Sequence, residues 1–336
     1  MNEGFSILIF PEAHRSYDQH IQRFHRGAFY LAEKLQVDIL PILVFGTGDF
    51  LGKGAFWGRP NSFRMKILSR VPCDDLSFGN SYQERSRNLR KFYITQYAQF
   101  KAEEGNAHYY RRKLALNYTL KGPILEWYMR VKLKLENNYE IYNQLMPREG
   151  EILDLGCGYG FISYMLMFTG DERKITGVDY DAEKIEVAEN CYSKNERISF
   201  FCQDISEYKV TPKNGFLLCD VLHYLTPEKQ EKLLRDCFSN LHPGGTILIR
   251  EANTELEKRH KKSLVTEFLS TRIGFNKTQT NDKQLFFTSA DAIRAVAVEF
   301  GLTMEVIDNK KVTSNNLFVL KHKHPGSHGE GGTVHG

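Results

Sequence analysis

The order of apolar and polar residues along the first hundred residues indicates a small α/β unit. Short apolar runs predict buried strands at Ser6–Phe10, Ile39–Phe45 and Ser62–Leu68, and helical spacing of apolar residues predicts a helix over Ile21–Leu35. The first strand, the helix and the second strand together predict a strand–helix–strand unit.

The pattern changes between Tyr82 and Tyr142, where basic and aromatic residues recur at helical spacing. Interruptions at Gly105 and at Gly122-Pro123 predict breaks between helices, because glycine and proline both end helical segments. This stretch is predicted to be a helical connector.

From Glu151 onward, apolar strands alternate with amphipathic helices. The predicted strands lie near 151–156, 174–178, 198–202, 216–220 and 246–250, and the predicted helices near 160–169, 181–192, 227–239 and 289–300. Such alternation predicts a doubly wound parallel sheet. Two last strands, Thr303–Ile307 and Leu317–Lys321, are joined by a loop too short for a helical crossover, so they should pair antiparallel.

Composition narrows the class of protein. The chain has 336 residues and a net charge of +4, too small a balance to diagnose a nucleic-acid binder. Six cysteines are scattered without a C-x-x-C pair, which argues against a disulfide framework or a zinc site and favours a reducing compartment. The sequence shows neither a signal peptide nor a bilayer-spanning run, so a cytoplasmic protein is expected. The Gly/His-rich stretch 323–336 is expected to be disordered.

A glycine-rich turn follows the predicted strand at Glu151. Glycines stand at 156, 158 and 160, and the missing side chains would let the backbone lie against a ligand with free N–H groups directed at it. Asp179 and Asp204 end the next two strands, where one carboxylate could bind ribose hydroxyls and the other an adenine amino group. A nicotinamide or flavin fold shares part of this pattern, but its fingerprint spaces the glycines differently.

At these residues the sequence resembles the class I S-adenosylmethionine-dependent methyltransferases, over residues 147–322. The resemblance rests on ILDLGCGYG at 152–160, VDYD at 178–181, QD at 203–204, CDVLHYL at 219–225 and LHPGGTILIRE at 241–251. It implies an α/β fold with a Rossmann-like doubly wound sheet of seven strands, the last antiparallel, and S-adenosylmethionine (SAM) as cofactor without an obligatory metal.

The resemblance also implies roles for individual residues. The residues implied to bind the cofactor are Asp154, Gly156, Cys157, Gly158 and Gly160 around the methionine part, Asp179 and Tyr180 at the ribose, and Asp204 and Ile205 at the adenine. Asp220 and His223 would face the transferable methyl group.

His223 is the candidate catalytic residue. Its reference pKa of about 6.5 suits a general base for a hydroxyl acceptor, but a structural imidazole satisfied by a neighbouring carbonyl is the alternative. Arg250 is a candidate for substrate binding, with pairing to a carboxylate as the alternative. Phe275 lies in an insertion at 264–289, which is either a lid over an apolar, anionic acceptor or a polar loop with a few buried rings.

The N-terminal segment FPEAHRS, residues 10–16, resembles the second half of the glycerolipid acyltransferases, of the lysophosphatidate type. In that family the stretch reads F-P-E-G-T-R-S, and its Glu and Arg help to hold the acceptor phosphate. Glu12 and Arg15 match those positions, so both are candidate substrate-binding residues. Ala13 and His14 depart from the usual Gly-Thr.

The family's catalytic H-x-x-x-x-D motif has no match, because no histidine here is followed five residues later by Asp. Acyl transfer is therefore expected to be absent unless a missing N-terminal part supplies the motif. The segment is either part of a longer, lipid-related protein or a vestigial scaffold. The resemblance favours a larger, membrane-associated protein.

Basic residues concentrate in the middle of the chain. Residues 51–135 contain 17 Lys/Arg and 6 Asp/Glu, a local charge of +11. Residues 85–138 could lie on an anionic membrane surface at the inner face. The alternative is a solvated helix that packs its aromatic face on the methyltransferase. Nucleic acid is not an expected partner, since no recognised binding module is present.

The sequence thus predicts an acyltransferase-like part at 1–104, a helical connector at 105–146, a methyltransferase domain at 147–322 and a tail at 323–336. The expected function is methylation of a small or lipid-linked acceptor. The rival is a noncatalytic SAM-binding adaptor at the membrane surface. The pattern does not predict the acceptor or the oligomeric state.

Overall fold

The computed structural model describes residues 6–16, 20–135, 138–252, 285–308 and 315–323. The chain divides into two compact units, Met1–Tyr109 and Tyr110–Gly336. Within the described ranges, no helix combines the length and the apolar character needed to cross a bilayer.

The first unit contains a two-stranded antiparallel sheet and helices. Its elements are α1 (Gly27–Leu35), β1 (Ile42–Phe45), α2 (Thr47–Phe50), β2 (Arg64–Ile67) and α3 (Tyr82–Glu104). The side chain of Ser81 caps α3 by accepting a hydrogen bond from the Glu84 N–H. A small core forms between α1 and α3, from Phe24, Phe29, Val71 and Leu89.

The predicted buried strand at Ser6–Phe10 is wrong, and with it the strand–helix–strand unit. These residues lie in no strand, and the side chains of Ile7, Leu8, Ile9 and Phe10 are between 41% and 74% exposed. An apolar run becomes a buried strand only where a neighbouring strand pairs with it. The described strands β1 and β2 pair only with each other.

Between Tyr82 and Leu145 the chain forms four consecutive helices, and the predicted breaks between them are confirmed. They are α3, α4 (Ala107–Leu116), α5 (Pro123–Leu135) and α6 (Tyr139–Leu145). Gly105 ends α3, and Gly122 has a φ of +101° directly before Pro123 opens α5. Buried Leu125, Met129 and Leu133 line one face of α5, while Ile124 and Trp127 remain exposed.

The second unit is built on a seven-stranded sheet. Its further elements are β3 (Glu149–Leu155), α7 (Phe161–Thr169), β4 (Glu172–Asp179), α8 (Ala182–Glu189), β5 (Ile198–Cys202), β6 (Lys213–Cys219), α9 (Pro227–Ser239), β7 (Leu241–Ala252), α10 (Ala290–Glu299), β8 (Leu302–Asp308) and β9 (Asn315–His322). The strand order is β5-β4-β3-β6-β7-β9-β8. β3 to β7 pair in parallel, whereas β9 runs antiparallel to both of its neighbours. The predicted α/β fold, with its antiparallel last strands, is therefore confirmed.

The parallel register determines where functional residues meet. Asp154 of β3 pairs with Gly177 of β4 on one side and with Leu217 of β6 on the other. The carboxyl ends of these strands therefore share one edge of the sheet, where ligands bind in open α/β sheets. The last residues of β3 and β6 before this edge are mostly buried and apolar. Their packing fixes the position of the side chains at the strand ends.

Candidate active site

The glycine turn between β3 and α7 has left-handed backbone at each of its three glycines. The φ angles of Gly156, Gly158 and Gly160 are +79°, +54° and +77°. A Cβ on Gly156 would approach Val221 to 2.4 Å, and one on Gly160 would approach Phe200 to 2.7 Å. A Cβ on Gly158 would meet nothing nearer than 3.9 Å. Gly156 and Gly160 thus allow close packing, while Gly158 leaves an open face on which a ligand can lie.

The expectation of free N–H groups in this turn is wrong. The N–H groups of Gly156 and Cys157 donate to the carbonyl oxygen of Val178, at 2.8 and 3.1 Å. The N–H of Gly158 donates to a carboxylate oxygen of Asp179, at 2.8 Å. The turn folds back onto the end of β4, so these N–H groups are used within the protein. An anion site at a helix N-terminus needs free donors, and these positions offer none to a phosphate.

Two carboxylates end the neighbouring strands, as the sequence predicted. Asp179 closes β4 and is 6% exposed, and its second carboxylate oxygen accepts from the N–H of Asp181 at 3.0 Å. Asp204 follows β5, is half-buried, and accepts from the N–H of Ser206 at 2.8 Å. These bonds hold both side chains in place while leaving further acceptor capacity on each carboxylate.

Tyr180 and Ile205 stand next to these two carboxylates. Tyr180 is half-buried, and burial together with the charges of Asp179 and Asp181 raises the pKa of its hydroxyl to about 12. Its phenol is therefore neutral and can donate a hydrogen bond. The side chain of Ile205 belongs to the apolar core.

Asp154 is the most buried carboxylate at this edge, with 2% exposure. Burial raises its pKa to about 7, although the Ser163 hydroxyl donates a hydrogen bond to it and opposes the shift. Burial, with the charges of Asp154 and Asp179, also raises the pKa of the Cys157 thiol well above its usual range. Cys157 is consequently a neutral thiol that fills space beside the turn rather than a nucleophile.

Asp220 and Arg250 form an ion pair at the ends of β6 and β7. Arg250 Nε donates to Asp220 Oδ1 at 3.0 Å, and its Nη2 donates to the other carboxylate oxygen. Arg250 Nη1 also donates to the hydroxyl of Tyr142 in α6, at 2.8 Å. Burial alone would raise the pKa of Asp220, but Arg250 outweighs it and holds that pKa below its usual range. Arg250 therefore pairs with a carboxylate, which is the alternative stated for it.

His223 lies in a buried pair that sequence reasoning missed. Its Nδ1 is 2.8 Å from Oε2 of Glu251, a residue of β7 that is 1% exposed. The other oxygen of Glu251 accepts from the N–H of Leu222 at 2.8 Å. The ring of Phe287 stacks on His223 at a centroid distance of 5.6 Å. The sequence did contain a signal for this pair, because Glu251 is an acidic residue that closely follows the apolar run of β7, the strand next to β6.

The insertion at 264–289 is described only from Leu285 onward, and Phe275 lies outside the described residues. The described end of the insertion contacts the site, because the N–H of Phe286 donates to the carbonyl of His223 at 2.9 Å. The side-chain amide of Gln230 in α9 donates to the Phe286 carbonyl at 2.6 Å. These bonds hold the end of the insertion against His223.

In the first unit, Glu12 and Arg15 make bonds within the protein. Glu12 Oε2 accepts from the N–H of Gln22 at 2.6 Å. Arg15 Nη1 donates to the carbonyls of Leu51 and Gly52, each at 3.1 Å. The structure thus bonds Glu12 to the segment before α1 and Arg15 to the segment after α2, so the two side chains have separate partners.

Comparison with known proteins assigns both segments. The family described as "Methyltransferase domain" matches residues 152–245, and the acyltransferase family matches residues 1–44. A carboxy-S-adenosyl-L-methionine synthase of Desulfotalea psychrophila is 23% identical over 49% of this chain and 68% of its own length. Bacillus subtilis YqeM, whose name describes it as a methyltransferase, is 35% identical over 31% of this chain and 42% of its own length.

A solved structure gives a weaker likeness. The methyltransferase CalO1 of calicheamicin biosynthesis, in its SAH-bound form, matches 62% of this chain and 61% of its own chain at 15% identity and a TM-score of 0.44. The strand order described above, rather than this likeness, shows the fold. The second unit is thus similar to SAM-dependent methyltransferases, and the first 44 residues are similar to acyltransferases.

Proposed function

We propose that the protein transfers a methyl group from SAM to a small or lipid-linked acceptor, at oxygen or carbon. The turn at 156–160 carries this proposal, because four of its five N–H groups face protein acceptors while carboxylates end the surrounding strands. Such a site suits a ligand with a sulfonium, an ammonium and ribose hydroxyls. It does not suit the diphosphate of a dinucleotide, which requires free backbone donors.

The residues fit the cofactor part by part. In this proposal Asp179 accepts from the ribose hydroxyls and Asp204 from the adenine amino group, and the acceptor capacity that both retain at the sheet edge supports it. The open face of Gly158 gives the ligand close access to the backbone. When bound, SAM supplies an electrophilic methyl group on sulfur. The work of the protein is then to align the acceptor with that methyl group at near-attack distance.

His223 is proposed as the general base where the acceptor is a hydroxyl. Glu251 holds the imidazole through Nδ1, which leaves Nε2 as the basic nitrogen, as a carboxylate does in catalytic dyads of this type. General base catalysis contributes about 10²- to 10⁴-fold in rate. His223→Gln should lower methyl transfer by that range without changing the dissociation constant of SAM. Unchanged transfer would assign His223 a structural role.

A lipid-linked acceptor is supported by the exposed face of α5. Ile124 and Trp127 are 60% and 51% exposed, beside the exposed Arg130 and Lys134. Apolar and basic side chains on one helix are the composition of a helix that lies on an anionic bilayer. Co-sedimentation with vesicles that contain phosphatidylglycerol, lost in high salt, is expected. Equal binding to vesicles of phosphatidylcholine alone would contradict this.

Isothermal titration with SAM, S-adenosylhomocysteine and NAD tests the proposal. The first two compounds should bind, with a micromolar dissociation constant equivalent to about −8 kcal/mol, and NAD should not. Tritium from methyl-labelled SAM should then appear in a lipid or small-molecule extract. Binding without any transfer would favour the noncatalytic adaptor, and binding of NAD in place of SAM would refute the proposal.

A further inference from the structure

The connection between α2 and β2 in the first unit carries two adjacent aromatic side chains that are exposed. Phe56 and Trp57 are 86% and 79% exposed. Their rings pack on each other edge to face, with centroids 5.2 Å apart and ring planes at 88°. Two adjacent rings in water mark a binding surface, because apolar area is stabilised when it leaves water.

The two rings belong to a loop with a closed neck, residues 51–58, which we call the aromatic loop. The N–H of Arg59 donates to the carbonyl of Phe50 at 2.6 Å, so the two ends of the loop meet. A Cβ on Gly58 would approach the Phe50 ring to 2.7 Å, so the returning chain packs directly on that ring. The aromatic loop therefore projects from a narrow base.

The base of the aromatic loop is held by contacts within the first unit. The ring of Phe50 packs edge to face on Phe63, with 6.1 Å between the centroids. Arg15 Nη1 donates to the carbonyls of the first two residues of the loop, each at 3.1 Å. These contacts fix the base through Phe50 and Arg15, so the exposed pair of rings can enter another medium while the base stays folded.

The charges beside the rings indicate the kind of partner. Lys53 precedes the ring pair and Arg59 follows it, and residues 50–63 contain neither Asp nor Glu. Tryptophan has an apolar body and a polar N–H, which suits the boundary between lipid headgroups and acyl chains. Lysine and arginine are attracted to anionic headgroups. A projecting loop of this composition matches the surface of an anionic bilayer.

We propose that the aromatic loop inserts Phe56 and Trp57 into the headgroup region of an anionic phospholipid bilayer, where Lys53 and Arg59 contact the headgroups. This surface lies in the first unit, so it is separate from the exposed face of α5 and does not depend on methyl transfer. Burial of one aromatic ring in the bilayer corresponds to about a tenfold gain in affinity for vesicles.

The chain has two tryptophans, which allows the two surfaces to be measured separately. Trp127→Phe leaves Trp57 as the single tryptophan. When vesicles of phosphatidylglycerol and phosphatidylcholine are added, the emission of Trp57 should shift to shorter wavelength, because its indole leaves water. Phosphatidylcholine brominated in its acyl chains should quench that emission. Both effects should be weaker with vesicles of phosphatidylcholine alone.

Substitutions in the aromatic loop measure its share of the binding. In co-sedimentation with the same anionic vesicles, Phe56→Ala should lower the affinity by about tenfold. Lys53→Gln combined with Arg59→Gln should lower it by about tenfold or more. Leu76→Ala is the matched control and should bind as wild type. It removes an apolar side chain of the same unit that is 65% exposed, but two aspartates precede Leu76 directly, and an anionic surface repels them.

Four results would overturn the proposal. Emission of Trp57 that does not change on addition of vesicles would show that the loop stays in water. A shift that appears without vesicles as the protein concentration rises would show that a second copy of the chain covers the loop. A shift seen only for Trp127, measured in Trp57→Phe, would assign membrane binding to α5. Equal loss of binding in Leu76→Ala and Phe56→Ala would show that the loop is not the contact.

Discussion

Two turns in this chain carry the residues by which each half resembles a family, and their backbones differ. In the turn at 156–160, glycine stands at each of the three positions with positive φ. In the turn at 11–16, the left-handed position is Ala13, with φ +60°, where the acyltransferase pattern has glycine. An L-residue with a Cβ pays about 1–2 kcal/mol there. The residues at 156–160 therefore suit the backbone of their turn, whereas Ala13 is strained in the turn at 11–16.

The charged side chains of the two turns also differ in their hydrogen bonds. Around 156–160, the carboxylate of Asp179 accepts two backbone N–H bonds and that of Asp204 accepts one, and both retain acceptor capacity. In the other turn, Glu12 binds a backbone N–H and Arg15 binds two carbonyls of its own unit. Changes at the glycine turn should alter ligand binding, and changes at the other should alter stability alone.

The largest expected effect is at Asp179. Asp179→Ala removes the carboxylate that holds the Gly158 N–H and that is proposed to accept from the ribose, so SAM affinity should fall by more than 100-fold. Glu172→Ala is the matched control, because it removes an exposed carboxylate from the other end of β4. Isothermal titration measures both. A dissociation constant for Asp179→Ala within threefold of wild type would contradict the assignment of the site.

The next largest expected contrast is in stability, between substitutions of Arg250 and of Arg15. Arg250→Leu leaves the partly exposed carboxylate of Asp220 without the Arg250 guanidinium, at a residue whose φ is +54°, and should lower the free energy of unfolding by about 2 kcal/mol. Arg15→Leu removes bonds made at the surface and should cost less than about 1 kcal/mol. Urea unfolding followed by circular dichroism compares them.

A double variant sharpens this contrast. Adding Asp220→Asn to Arg250→Leu should recover part of the lost stability, because no uncompensated charge is then left at the end of β6. If Arg250→Leu proves no more destabilising than Arg15→Leu, the ion pair does not stabilise the second unit.

We expect SAM binding to depend on pH, because Asp154 gains or loses a proton near neutral pH. Burial raises its pKa to about 7, so between about pH 4 and 7 the folded protein binds a proton that the unfolded chain has released. The stability of the ligand-free protein should therefore decrease as the pH rises through this range. A cationic ligand favours the ionised carboxylate, so its binding expels this proton.

Affinity for SAM should accordingly fall below pH 7, by at most tenfold for each pH unit. Titrations between pH 5.5 and 8 measure the slope, and Asp154→Asn should flatten it. A slope that persists in Asp154→Asn would assign the proton to another group.

The strands and helices of the second unit could be predicted because their apolar periods are strong and their spacing is regular. Helix α9 was predicted with both ends correct, and Pro227 opens it as a proline at the first helical position should. The ends of β3 and β4 could be placed because a carboxylate follows a buried apolar run. Local pattern therefore located Asp154 and Asp179 near the carboxyl edge of the sheet.

Contacts between distant segments could not be predicted in this way. Glu251 meets His223 across 28 residues, and Tyr142 meets Arg250 across 108, so each pair depends on strand order and helix packing. The N–H groups of the glycine turn point into the protein because β4 offers acceptors, which no local pattern reveals. The apolar run at Ser6–Phe10 is not a strand for a related reason, because strand formation depends on a pairing partner that the run itself does not reveal.

The smallest expected effect tests the strain at Ala13. Ala13→Gly should raise the free energy of unfolding by about 0.5 to 1 kcal/mol, because glycine adopts positive φ without strain and this gain exceeds its greater entropy in the unfolded chain. Ala98→Gly is the matched control, since it removes an equally exposed methyl group from the middle of α3 and should cost about 1 kcal/mol. Urea unfolding should thus give opposite signs for the same chemical change. If both variants are destabilised alike, Ala13 is not strained, and the difference between the two turns lies in their charged side chains alone.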